Sequence, residues 1–277
     1  DITIRQILNM TSGLEFPSHE HEKMFFEDDH MEYALKIGVE SEPGAKFEYN
    51  NVNSMLMGAI LKNVTGKSAK TLINERIFSK IGLDDYIAWE DSVGNTLTYC
   101  CLDMSARDYS RFGLLFSRDG NWNGEKIISK DYVDESLKLY WGSTPSMGWP
   151  HSDTRGYSLQ WWVSKYDDQA KIYNTSGKFG QFVFIDKERD IIFTRITKYY
   201  PTIGEVQEFG SLSFLKFLGS VDAAVGVARF FNKIGLIKFS GGGVQTPVTL
   251  KEGESKEFYE KYIEIVDTLA TLEADKN

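Results

Sequence analysis

Cysteine is scarce in this chain of 277 residues, and long apolar runs are absent. The two cysteines, Cys100 and Cys101, are adjacent, so a bridge between them would strain the intervening peptide and we expect no disulfide. A metal site would need more ligands than this pair supplies. No apolar run reaches the length of about 18 residues that a transmembrane helix requires. These absences exclude a disulfide framework and predict no membrane-spanning helix.

Positive charge is also in short supply. Lysine and arginine number 31 against 40 aspartate and glutamate residues, which gives a net charge of −9. Neutralisation of phosphates supplies most of the affinity of nucleic-acid-binding proteins, and no run of basic residues is present here. We therefore expect no nucleic-acid partner. Acidity alone favours solubility and identifies no reaction.

Hydrophobic and aromatic residues, by contrast, are plentiful, at 42% and 14% of the chain. This composition is typical of a globular protein, and the length allows one large domain or two modest ones. The chain begins at Asp1 without a methionine, and a helical pattern starts already at Thr3. We therefore expect it to be the interior of a longer protein, and its compartment stays open.

The order of patterns along the chain predicts an α+β fold. Val52, Met55 and Ala59 share one apolar face of the clearest helix. Runs rich in aromatic and β-branched residues come later and predict an antiparallel meander; they span residues 157–163, 171–174, 181–185 and 191–197. We predict a mainly helical lobe over about 15–150, a sheet side over about 151–218 and a closing helix over about 204–218.

Residues 219–277 have the pattern of a C-terminal appendage. A Ser-Gly-Gly-Gly stretch at 240–243 is typical of a linker. A charged helix is predicted after it over about 254–272, with Phe258, Tyr262, Ile265 and Leu269 on one face. The first domain then covers 1–218.

Two short motifs could carry chemistry. Tyr49-Asn50-Asn51 stands at the start of the clearest helix, where Tyr49 is either a half-buried ring or a general base whose phenol needs a neighbouring cation to ionise. Ser176 to Gln181 leads into a predicted strand and contains Gly177 and Gly180. Glycine there marks either an ordinary bulged hairpin or a close approach of ligand to backbone, with an oxyanion donor at the strand edge.

The motifs, taken in order, resemble the class C β-lactamases and penicillin-binding-protein-like serine hydrolases, a group with esterases and 6-aminohexanoate-dimer hydrolases. The resemblance covers about 1–218 and is carried by residues 2–14, 43–51, 56–58, 64–68, 105–108, 111–113, 122–124 and 177–186. Cys100-Cys101 and residues 156–162 are most similar to the aminohexanoate-hydrolase branch.

The resemblance implies a β-lactamase/transpeptidase-like fold and an acyl-enzyme mechanism on a small ester or amide, without a cofactor. Tyr49 matches the tyrosine that moves the proton, and Asn51 matches the asparagine that orients substrate or the catalytic lysine. Ser176, Gly177, Lys178 and Gln181 match the third motif, where the backbone N–H of Lys178 is the expected oxyanion donor. The Ser-x-x-Lys nucleophile and the first strands of the sheet are expected upstream of this chain.

The sequence departs from the family pattern in two places, and the second bears on the expected substrate. The Ser-x-x-Lys at 213–216 follows the third motif, so we interpret it as coincidental. Thr175-Ser176-Gly177 lacks the cation that usually precedes the hydroxyl and reads a substrate carboxylate. An esterase or small-amide hydrolase is therefore favoured over penicillin recognition.

Two other interpretations remain open at this stage. A non-catalytic binding module could keep the fold without the chemistry. A metal-dependent hydrolase could use His19, His21 and His30, although their spacing matches no helical two-histidine motif and a solvated acidic loop accounts for them equally. The oligomeric state and the exact substrate are not determined by the sequence.

Overall fold

The first half of the chain is mainly helical, as the computed structural model shows. The structure describes residues 1–16, 23–139, 156–166, 171–177, 180–197, 200–202, 243–245 and 255–272. Its helices up to residue 136 are α1 (Ile4–Leu8), α2 (His30–Leu35), α3 (Asn51–Thr65), α4 (Ala69–Arg76), α5 (Ala106–Ser117) and α6 (Lys130–Ser136). Short 3₁₀ turns cover Met24–Phe26 and Phe78–Ile81. The predicted helical lobe is thereby confirmed for the described residues.

Capping residues fix where these helices begin and end. Thr3 and Gln6 form a capping box at the head of α1. The side chains of Ser68 and Ser105 accept the backbone N–H groups of the third residue of α4 and α5. Gly66 ends α3 in the left-handed region at φ 71°, a conformation that costs glycine little.

A five-stranded antiparallel meander follows, with its strands in sequence order. Its strands are β5 (Gly156–Ser158), β6 (Trp161–Tyr166), β7 (Lys171–Gly177), β8 (Gln181–Asp186) and β9 (Ile191–Arg195). Three short two-stranded ladders accompany it, formed by β1 (Ile87–Ala88) with β2 (Leu102–Asp103), β3 (Asn121–Trp122) with β4 (Glu125–Lys126), and β10 (Tyr200–Thr202) with β11 (Gly243–Gln245). The α+β prediction is confirmed.

The two faces of this sheet build two separate cores. Val183 and Ile185 of β8 point to the face covered by α5 and α6, in a cluster completed by Phe116, Val133, Leu137, Trp161, Val163 and Tyr173. Phe182 and Phe184 point to the opposite face. This alternation is the period of two that a strand imposes, and it leaves β8 covered on both sides.

Helix α7 (Lys256–Leu269) covers the second face of the sheet. Tyr259 and Val266 are buried there with Ile172, Phe182 and Phe184. The predicted helix is confirmed, but it is built into the core of the sheet. The proposed domain boundary at 218 stays a prediction, because most residues between 203 and 254, including the predicted helix at 204–218 and the Ser-x-x-Lys at 213–216, lie outside the described ranges.

Two sequence expectations are wrong. The run at 157–163 is not one strand, since a turn at Leu159-Gln160 divides it into β5 and β6. Cys100 and Cys101 form a disulfide, against our expectation from their adjacency, and Cys101 lies in the left-handed region at φ 68°. Backbone rotation at this single residue accompanies the bridge.

Among the helices that the structure describes, none is long and apolar enough to cross a bilayer.

Helix α5 approaches the sheet closely at Gly113, and we predict that Gly113→Ala destabilises the protein. A Cβ atom there would lie 2.9 Å from Cγ1 of Val183 and 3.2 Å from Cγ2 of Ile192. Alanine gains about 1 kcal/mol of helix propensity, but overpacking costs about 1–3 kcal/mol, so we expect a net loss of about 1 kcal/mol. Urea unfolding measures the change.

The matched control places Gly113→Ala in a Val183→Ala background. Removal of the Val183 methyl groups opens the space that the new Cβ needs. The alanine at 113 should then be neutral or stabilising, and an equal loss in both backgrounds would contradict the steric explanation.

Candidate active site

Tyr49 stands immediately before α3, in a position fixed by the cap of that helix. Asn50 is buried, and its side-chain oxygen accepts the backbone N–H of Asn53 at 2.8 Å. Asn51 is the first residue of α3. Tyr49 and Asn51 are both half-buried and flank the buried cap. The local sequence thus holds both predicted site residues at one helix terminus.

Aromatic contacts join Tyr49 to the sheet. Its ring stacks on Trp162 of β6, with centroids 5.6 Å apart and planes at 25°. Tyr157 of β5 meets the same ring edge-on at 6.2 Å. Phe47 packs on Tyr157 at 5.2 Å and completes the cluster with Met10. Such offset and edge-on pairs add about 0.5–1.5 kcal/mol each beyond the area that they bury.

The register of the sheet brings the third motif to the same end. Trp162 pairs with Asn174 of β7. Ser176 lies two residues farther along β7 on the face of Asn174, about 7 Å away at the usual rise per residue. Gly177 follows and pairs with Gln181 of β8. Through Trp162, Tyr49 therefore contacts the strand that pairs with β7.

A second connection runs through the turn between β5 and β6. Gln160 donates its backbone N–H to the carbonyl of Leu8 at 3.1 Å, and its side chain accepts from the hydroxyl of Ser54 in the first turn of α3 at 3.1 Å. Leu159 donates its N–H to the side chain of Asn9 at 2.8 Å. This turn immediately precedes Trp161 in the chain. It therefore lies at the end of β6 that is next to the end of β7. It ties α1 and α3 to the sheet.

The turn carries backbone strain. Leu159 and Gln160 have φ values of 35° and 75°, in the region that residues with a Cβ rarely adopt. Each such residue costs of order 1 kcal/mol, so the hydrogen bonds to the helical lobe must hold the turn in place. Sequence reasoning missed Gln160 and the Tyr157–Trp162 pair as site components. The adjacent tryptophans were the available signal.

The charges ahead of Tyr49 are paired. Lys46 contacts Glu40 at 2.6 Å and Glu48 at 2.8 Å, and these two carboxylates hold the pKa of its ammonium well above the usual range. Lys46 therefore stays protonated through neutral and moderately alkaline pH.

Burial raises the pKa of the Tyr173 phenol to about 12, so that tyrosine stays neutral in the core.

Several predicted residues have other placements. Lys178 lies outside the described residues, as do His19 and His21. His30 is buried at the head of α2, with Nδ1 3.0 Å from the hydroxyl of Tyr99, and its backbone N–H donates to Asp91. Within the described ranges no three His, Cys, Asp or Glu side chains form a group that could hold a metal ion.

Comparison with known proteins agrees with this architecture. The family model described as Beta-lactamase matches residues 1–208, so the chain belongs to the beta-lactamase family. The family contains hydrolases, and the chain has their α+β fold. The resemblance predicted from the motifs is confirmed.

Solved structures show the same fold. A Bacillus anthracis protein assigned as a 6-aminohexanoate-dimer hydrolase is similar at 20% identity and a TM-score of 0.60, over 84% of this chain and 60% of that one. An octameric penicillin-binding protein homologue from Pyrococcus abyssi is similar at 19% identity and 0.55, over 69% and 50%. A penicillin-binding protein homologue from Caulobacter crescentus is similar at 16% identity and a TM-score of 0.53, over 68% of this chain and 62% of that one. The chain thus spans less than two thirds of the length of each.

We predict that Asn50→Ala lowers the free energy of unfolding by about 1–2 kcal/mol, because the cap of α3 is lost inside the protein. Asn50→Ser keeps a neutral acceptor for the N–H of Asn53 and is the matched control, with a loss well below that of alanine. Chemical denaturation measures both. Equal losses for the two variants would show that the cap bond does not hold this helix terminus.

Proposed function

We propose that the chain forms the greater part of a serine hydrolase that cleaves an ester or a small amide through an acyl-enzyme. The observation that carries the proposal is the placement of Tyr49, at the head of α3 and stacked on the strand beside β7, in a chain of the beta-lactamase family. Two motifs far apart in sequence thereby reach one end of the sheet. That convergence is what acyl transfer requires of a proton-transfer group and an oxyanion site.

The proposed reaction is the one that the family resemblance implies. The serine of an upstream Ser-x-x-Lys attacks the substrate carbonyl carbon, and its proton passes to the base formed by the lysine and Tyr49. Backbone N–H groups around Gly177 and Lys178 stabilise the oxyanion. The bond to the leaving group then breaks as that group takes up the proton, and water hydrolyses the acyl-enzyme by the reverse proton route.

The residues of the third motif favour an uncharged substrate. Thr175, Ser176 and Gly177 carry no cation at the end of β7. Thr175 is engaged inside the sheet, where its hydroxyl accepts the N–H of Val183 at 3.2 Å. Tyr157 and Trp162 are buried, so the half-buried Tyr49 is the ring of this cluster that could contact an acyl group. Ester and small-amide substrates are therefore proposed over carboxylate-bearing β-lactams.

Tyr49→Phe in the full-length protein tests the proposal. The change removes one hydroxyl and keeps the ring that stacks on Trp162, so folding should be unaffected. Loss of a general acid–base group typically costs about 10²–10⁴ in rate. We expect kcat for a p-nitrophenyl ester to fall by at least about 100-fold, with the thermal midpoint unchanged.

Tyr132→Phe is the matched control, because this tyrosine lies on α6, away from the Tyr49 cluster, and activity should be retained. The rate of labelling with a fluorophosphonate should fall in the Tyr49→Phe protein and be retained in the Tyr132→Phe protein. A wild-type protein that neither labels nor turns over esters would instead support a binding module. Ester turnover that a chelator abolishes would support the metal-dependent alternative.

A further inference from the structure

The C-terminal helix reaches the third motif through Phe258. Gly180 directly precedes β8 and has a φ of 77°. A Cβ atom at Gly180 would lie 2.4 Å from Cε1 of Phe258 and 2.8 Å from its Cζ. The ring of Phe258 thus packs directly on the backbone of Gly180. Only glycine permits this approach, because any side chain there would occupy the space of the ring.

Arg195 contacts the same glycine on the side that Phe258 covers. Its guanidinium donates to the carbonyl oxygen of Gly180 and to the hydroxyl of Thr197. The guanidinium carbon lies 5.0 Å from the centroid of Phe258 and 5.5 Å from that of Tyr262, within the range of a cation–π contact. The end of β9, the start of β8 and the first turns of α7 therefore meet at Gly180.

A buried polar contact links α7 to β7, the strand that precedes the third motif. The hydroxyl of Tyr259 donates to the side-chain oxygen of Asn174 at 2.6 Å, and the hydroxyl of Ser164 contacts both groups. All three residues are buried. Asn174 lies two residues before Ser176 on β7. Helix α7 therefore contacts both strands that flank the third motif, β7 and β8.

We propose that α7 positions the third motif for catalysis, with Phe258 and Arg195 as positioning residues that act through Gly180. The inference rests on the proposed hydrolase function, since it assigns the oxyanion site to the end of β7 and the start of β8. An oxyanion donor works only within about 2.7–3.1 Å of the developing charge. Displacement of a site by about 1 Å can cost 10²-fold in rate. A helix remote in sequence thereby sets the rate at this motif.

Two alanine variants of α7 separate positioning from stability. Phe258→Ala removes the contact with Gly180, whereas Val266→Ala removes a fully buried side chain two turns farther along the same helix. Both should lower the thermal midpoint. Only Phe258→Ala should lower kcat, by about tenfold or more with KM within about twofold, because the donor geometry and not ground-state binding is disturbed.

Amide hydrogen exchange provides a readout independent of turnover. Phe258→Ala should speed exchange at Gly177, Gly180 and Gln181 by at least about tenfold, and Val266→Ala should leave these amides unchanged. Phe258→Leu, which keeps an apolar contact, should restore most of kcat. Arg195→Lys should lower kcat and should add little when combined with Phe258→Ala, because both act on Gly180.

Equal loss of kcat in Phe258→Ala and Val266→Ala, or unchanged exchange at Gly180 in the Phe258→Ala protein, would overturn the positioning role. Failure of the proposed function gives a different result. The wild-type protein would then turn over no ester, while exchange at Gly177, Gly180 and Gln181 would still respond to Phe258→Ala alone and support the mechanical link from α7.

Discussion

Strand β8 is covered on both faces, by α5 against Val183 and Ile185 and by α7 against Phe182 and Phe184. A strand in this position has a single allowed register, because a shift by one residue would exchange its two sets of apolar side chains between the cores. The paired strand β7 is fixed with it. The position of the third motif is therefore a consequence of core packing on both sides of the sheet.

Helices α1 and α3 of the helical lobe are joined to this fixed sheet beside Trp162. Tyr49 stacks on Trp162, and the strained turn at Leu159-Gln160 bonds to α1 and α3. Strain at that turn persists only because these contacts outweigh it. The proposed proton-transfer residue Tyr49 thus lies where the start of α3 meets the sheet.

Local signals predicted much of this structure. The apolar spacing from Val52 located α3, because periodicity is a property of a few neighbouring residues. The turn at Leu159-Gln160 was missed, since neither residue is a turn former and only contacts with distant segments hold it there. The burial of α7 was missed for the same reason: its partners lie in strands β7 to β9, far earlier in the chain.

The most direct test of the account is a crystal structure of the full-length protein after reaction with a fluorophosphonate. The account predicts a phosphonylated serine of a Ser-x-x-Lys motif. Its phosphonyl oxygen should lie about 3 Å from backbone N–H groups at the end of β7, with the Tyr49 hydroxyl within hydrogen-bond distance of the serine oxygen. An adduct remote from Tyr49 and β7, or no adduct in a correctly folded protein, would contradict it.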